Sequence, residues 1–245
     1  MGYKTDRHLE FLAYCGDESL HQLVQILTKD KDGDGRWTES LTSSDKYKKH
    51  SPKHSNYWDE IAAELQHFGG NTIANTWRGH GVDYREILLE VCDKMNVNYN
   101  KKSEIPVIEM NLLLKILEEA MADMSEEELK IIADELDLKT TSFTANAMSI
   151  ALQMAIKNSG FMAYRIAMIV ANAIAKALFG KGLAFATNRT ITQTMAIFAG
   201  PIGWTITGVW TAIDIAGPAF RVTIPSVIQI AFLRQMQLAN ENEDE

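Results

Sequence analysis

Apolar residues recur at three- and four-residue intervals almost from the start of this chain. In "DRHLEFLAYC" and "ESLHQLVQIL" the spacing of Leu9, Leu12, Leu20, Leu23, Val24 and Leu27 predicts an apolar stripe on each of two short helices. Asp6 and Asp17 stand at the N-cap positions. Residues 42–56, "TSSDKYKKHSPKHSN", have no period and are rich in Ser, Lys and His, which predicts an exposed loop. A helix is expected from near Tyr57 to a break at Gly69-Gly70, resuming from Asn71 to "RGHG", and another from about Asp83 to Met95. Pro106 is placed to open "VIEMNLLLKILEEAMADM", and Ser125 with Glu128 forms a capping box ahead of the next helix. No alternating run of useful length occurs, so the predicted fold class is all-α.

The pattern changes after Thr144. From there to Phe179 the chain is rich in Ala, Ile and Met, with an interruption at Asn158–Gly160 and a C-cap signal in "FGKG". Residues 190–213 carry no charge at all, a length that allows a membrane span. Gly200, Pro201 and Gly203 interrupt that stretch, and six threonines dilute it, which predicts two short helices in place of one. Small residues at Ala199, Gly203, Thr207 and Thr211 suit close helix packing in a bilayer or in a soluble bundle alike. Pro225 is expected in the first turn of a final apolar helix bounded by Arg221 and Arg234. The whole reads as a multi-helix bundle with an apolar C-terminal helical hairpin. Its three regions are a helical module over 1–41, an acidic helical domain over 42–140, and an apolar, basic region over 141–245.

Charge sharpens that division. The net charge of −8 argues against nucleic acid as a partner, but it averages two unlike halves. Residues 1–140 hold 17 basic against 27 acidic side chains, a balance of −10, whereas residues 141–239 hold seven basic side chains and one acid, Asp214. The opening "MGYKTDRHLE" lacks an apolar core after its basic residues, so no secretory signal is expected. The two cysteines, Cys15 and Cys92, are far apart and fit a reducing cytoplasm better than a disulfide framework.

Motifs with chemistry are few. "DKDGDG" places Asp30, Asp32 and Asp34 at the first, third and fifth positions of a calcium-binding loop, but Leu41 stands where a bidentate Glu is needed. A glycine-rich acidic turn is therefore expected there. Glu-x-x-His occurs at 18–21 and at 64–67, a spacing shared with di-iron bundles, and no metal or other cofactor is expected. The densest polar block is residues 57–92, where Glu64, His67, Asn71, Arg78, His80, Tyr84 and Arg85 surround two glycine-rich corners. They form either a small polar pocket with His67 and His80 as proton carriers, or a buried network that fixes helix angles, with Arg78 bonding a carboxylate such as Glu64. Positive φ at the corners accounts for the glycines.

Three blocks, "DRHLEFLAYCGDESLHQLVQILT", "ELQHFGGNTIANTWRGHGVDYREILLEVC" and "AFRVTIPSVIQIAFLR", resemble the YaaW-like family of bacterial proteins. That resemblance implies a cytoplasmic helical protein with a distant likeness to ubiquinol–cytochrome c chaperones, and it implies no activity and no catalytic residue. The leading expectation is a non-enzymatic protein whose C-terminal half meets an anionic membrane surface, peripherally or as an inserted hairpin at the inner membrane. Arg189, Trp204, Trp210, Arg221 and Arg234 would make the contact. The alternative is a soluble interaction or assembly factor offering a Met-rich groove to a partner protein's helix. An enzyme built on His67 and His80 carries the least weight.

Overall fold

The structure is a computed structural model that describes residues 2–30, 34–36, 39–69, 81–183, 192–213 and 220–243, with side chains in the last two ranges described through Thr205 and Glu241. Ten α-helices follow one another among the described residues: α1 Asp17–Thr28, α2 Asp45–His50, α3 Trp58–Phe68, α4 Tyr84–Lys94, α5 Ile105–Ala122, α6 Glu126–Glu135, α7 Ala145–Asn158, α8 Gly160–Phe179, α9 Thr192–Ile213 and α10 Phe220–Glu243. No strand is present among them, only one isolated bridge between Lys29 and Gly35. The chain is all-α.

Local capping chemistry explains several of the helix ends. Ser125 accepts a hydrogen bond from the Glu128 amide while Glu128 reaches back to the Ser125 amide, so α6 opens with the predicted capping box. Thr144 caps α7 by accepting from the Ala147 amide at 3.3 Å. Ser159 is extended and separates α7 from α8, and Gly180, at φ 69°, ends α8 in the left-handed conformation that glycine adopts at least cost.

Four expectations need correction. "DRHLEFLAYC" forms only a 3-10 turn, Glu10–Tyr14, although Asp6 does bond at its start: its Oδ1 accepts from the His8 amide, while its Oδ2 accepts from the Tyr84 amide at 2.6 Å. Residues 42–56 are not a loop, since Ser44 accepts from the Tyr47 amide and starts α2, and a 3-10 turn follows over His54–Tyr57. Residues 192–213 form one helix with Pro201 inside it. An interior proline costs about 3 kcal/mol, yet Met195, Phe198 and Ile202 keep a buried stripe in register across it. Likewise α10 begins five residues before Pro225 and continues to Glu243.

The chain divides into two compact units, Met1–Glu109 with Ile213–Arg234, and Met110–Ala212 with Gln235–Glu245. Each has one helix buried on all sides. In the first unit it is α10, where every residue from Val222 to Leu233 is buried. In the second it is α8, buried continuously from Ile166 to Ala175. A helix apolar all round belongs either in a protein core or in a bilayer. Helix α8 is the one helix among the described residues that is long and apolar enough to cross a membrane, and 61% of its apolar window is buried inside the protein.

Candidate functional site

The polar block of residues 57–92 resolves into separate sets of bonds. Glu64, on α3, is 4% exposed and accepts from the Ser40 amide at 3.0 Å and from Ser40 Oγ at 2.7 Å. Burial pushes its carboxyl above the usual carboxylate range, and the two Ser40 donors offset part of that rise. His67 is half-buried in the last turn of α3. Arg85 donates to the Lys101 and Ser103 carbonyls, both at 3.0 Å, and so ties α4 to the turn ahead of α5. Asn71, Arg78 and His80 lie outside the described residues.

The glycines beside this block serve close approach. Gly69 has φ −74°, so positive φ is not its reason. A Cβ there would sit 2.4 Å from Ile87 Cγ1, and one on Gly81 would sit 2.3 Å from the Gln66 carbonyl. Gln66 is itself fully buried and pairs through its amide with both the N–H and the C=O of Lys4.

Tyr84 enters a network that the sequence reading missed. The phenol donates to Glu109 Oε1 at 2.6 Å, and the guanidinium of Arg234 donates to Glu109 Oε2 at 2.9 Å and to the His8 carbonyl at 2.7 Å. That guanidinium also lies 4.3 Å from the Phe11 ring centroid. Tyr84 and Glu109 are completely buried. Burial raises the Glu109 carboxyl, with Arg234 and Tyr84 pulling it back, while at Arg234 burial lowers the pKa and Glu109 with Tyr84 together more than reverse that. Arg234 was expected at a membrane or partner contact; it is instead committed to an interior ion pair. One signal for Glu109 exists in the sequence: it falls on the same helical face as Ile105, Leu112 and Leu113, where a lone acid needs a buried partner.

Asp30 Oδ1 accepts from the Asp34 amide, and the Asp30 amide donates to the Asp34 carbonyl, closing a tight turn after α1. Asp32 lies outside the described residues, and among those described no group of three ligating side chains is placed to hold a metal ion. Both cysteines are buried free thiols, pushed up to about 11 at Cys15 and about 12 at Cys92 by desolvation, so neither is a ready nucleophile.

On the second unit, Trp204 is 82% exposed on α9. It edges a groove of about 390 Å³ whose walls are the small residues Ala177, Ala196, Ala199, Gly200 and Gly203, with Lys176 at its rim. Arg189 and the side chain of Trp210 lie outside the described residues, and Arg221 is half-buried.

Residues 53–228 match the family model for the ubiquinol-cytochrome C chaperone, and residues 3–37 match a domain of unknown function, DUF3944. A UPF0174 protein of Helicobacter pylori strain J99 is 49% identical over 245 residues, covering 99% of this chain and 97% of the relative. The chain belongs to the UPF0174 family. The UPF0174 protein YaaW of Escherichia coli strain K12 is 32% identical, with 98% of this chain and 99% of YaaW covered. A shorter member from Helicobacter pylori strain 26695 is 38% identical and covers 80% of this chain and 96% of itself. The likeness to the YaaW-like family and to the chaperone model, read from the three sequence blocks, is thereby established. No solved structure matches the chain.

Proposed function

We propose that the protein is a non-enzymatic assembly factor of chaperone type that holds an apolar helix of another protein against its second unit. The observation that carries this reading is a set of exposed apolar side chains inside the chaperone-like region: Ile150 at 51%, Met154 at 61% and Phe161 at 49%. Ile150 and Met154 are one turn apart on α7, and Phe161 is near the start of α8. Solvent-facing apolar side chains of this kind gain free energy on being covered, and the flexible Met154 thioether adapts to varied partners. Met148, Met162, Met168 and Met195 are buried and Met124 and Met236 half-buried, so among the described residues Met154 is the exposed methionine of the second unit. Between Lys139 and Asp214 the chain has basic side chains and no acid, which favours a client helix flanked by carboxylates.

The test is a labelled synthetic Leu/Ala helix of about 20 residues with Glu at both ends, titrated with the whole protein. Binding is expected, and Met154→Glu with Phe161→Glu should weaken it about tenfold, roughly 1.4 kcal/mol, while leaving the melting temperature in place. No binding by the wild-type protein would remove this reading.

A second reading, association with an anionic membrane surface, is favoured by the exposure of Trp204 in an uncharged stretch beside Lys176. Flotation with phosphatidylglycerol vesicles that weakens with salt, and that Trp204→Ser reduces, supports it. Recovery of all protein in the pellet-free bottom fraction at low salt would reject it.

A further inference from the structure

One cluster plays no part in that reading. In the first unit, His21 Nδ1 on α1 lies 3.0 Å from His54 Nε2, and the far nitrogens of both rings are also engaged. His54 Nδ1 hydrogen-bonds the Tyr57 hydroxyl, and Gln25 Nε2 lies 2.7 Å from His21 Nε2. His54 is 3% exposed and Tyr57 fully buried, whereas His21 is on the surface. The chain Gln25, His21, His54, Tyr57 therefore ties α1 to the 3-10 turn His54–Tyr57 and to α2 beyond it.

We propose that the His21–His54 contact is a clasp that holds the segment Ser44–Tyr57 on α1 and opens on acidification. The space between the two facing nitrogens holds one proton, since one ring must donate and the other accept. With both rings neutral, the Gln25 amide donates to His21, His21 to His54, and His54 to Tyr57. A first added proton is tolerated on the exposed His21, because the Gln25 amide can turn its oxygen to the new N–H. A second proton sets N–H against N–H and one positive charge against another inside a partly dry site, and the contact has no arrangement that satisfies both.

The surroundings compensate the added charge only in part. The groups facing the clasp are Asp17 from α1, Lys53 and Tyr57 from the turn, Glu60 from α3 and Tyr47 from α2. Asp17 is the carboxylate that acts on His54, and it already accepts from the Ser55 amide at 2.8 Å and from Ser55 Oγ at 2.7 Å. Those donors hold its carboxyl below the usual carboxylate range, so it stays ionised while the imidazoles titrate. Burial, and then His21, make His54 harder to protonate than a free histidine, and Asp17 offsets this only in part. Tyr57 is pushed up to about 12 by burial and remains a neutral phenol throughout. The sign follows. A base whose protonation is disfavoured in the closed state takes up a proton on opening, so closure is fully stabilised above the ordinary histidine range and weakens as pH falls through it.

Amide hydrogen exchange read by mass spectrometry on the full chain, corrected for intrinsic rates, tests the clasp. From pH 6.5 to 5.5 the opening constant of residues 44–57 should rise, by up to about fivefold for each proton taken up, while α8 keeps its protection. His54→Gln retains hydrogen bonding but cannot titrate there, and should flatten that slope. If His54→Gln does not fold, proton NMR of the wild-type imidazoles replaces it, and His54 should titrate below the free-histidine value. A wild-type opening constant that does not change between pH 7.5 and 5, or a His54 that titrates at or above the free value, would overturn the proposal.

Discussion

At the residue scale, the Glu109–Arg234 pair is the group of side chains on which most depends. A buried ion pair contributes little net stability when intact, but removing one member strands a charge. Arg234→Met should therefore cost about 3–5 kcal/mol in urea unfolding at neutral pH. The loss should shrink as pH falls, because a stranded Glu109 whose folded pKa is raised binds a proton in the folded state and gives up that advantage only as pH rises through it. Glu109→Gln combined with Arg234→Met should recover much of the loss, and a double variant no better than the single one would contradict the pairing. The reason this site was hidden in the sequence is physical. Arg234 and the His8 carbonyl it bonds are 226 positions apart, and no local period carries information over that distance. The conspicuous block of residues 57–92 attracted notice because its polar side chains are dense. Tyr84 within that block bonds Glu109, an acid on the buried face of α5, and that bond fixes one end of the network.

At the element scale, what could be read ahead was what is local. Ser125 and Glu128 are three residues apart, and their capping box is present as the pattern predicts. Helix α9 has no acid of its own and begins under a borrowed one: Glu135, the last residue of α6, accepts from the Gln193 amide at 3.2 Å and from the Thr194 amide and hydroxyl. A carboxylate at a helix start satisfies free amides and complements the helix dipole. Arg165 steadies that arrangement by donating to the Glu135 carbonyl at 2.8 Å. Asp6 does the same for α4 from 78 positions away with one carboxylate oxygen while the other bonds the nearby His8 amide, so only the local half of its capping could be read from the sequence. The break expected at Pro201, and the helix start expected at Pro225, misled for a related reason: the penalty of an interior proline is local, while the buried stripe that outweighs it is tertiary. Glu135→Ala should destabilise the second unit by about 1–2 kcal/mol, and Glu135→Gln by less, measured by thermal unfolding. Equal losses from the two would mean that acceptance by the side chain is not what holds the start of α9.

At the scale of the whole molecule, the first unit is completed by a helix more than 100 positions beyond its other elements, the last among the described residues. Its central element, α10 from Val222 to Leu233, buries Val222, Ile224, Val227, Ile228, Ile230, Phe232 and Leu233. At about 1.5–3 kcal/mol for each fully buried side chain, the gross gain is on the order of 10 kcal/mol or more, comparable with the net stability of a domain. Among the described residues of 1–109 no other helix has an unbroken buried run of that length. The second unit keeps its own central helix, α8, within Met110–Ala212. A chain ended after Ile213 should then keep the second unit and lose the first. Near-ultraviolet circular dichroism should report disordered packing around Tyr57 and Tyr84, and hydrogen exchange should show α1, α3 and α4 unprotected with α8 still protected. Adding residues 214–245 as a separate peptide should restore α4 protection if burial of α10 is the missing term. Cooperative unfolding of the shortened chain with α1 and α4 intact would mean instead that the first unit has a sufficient core without α10, and that the Arg234 pair only locks a structure already formed.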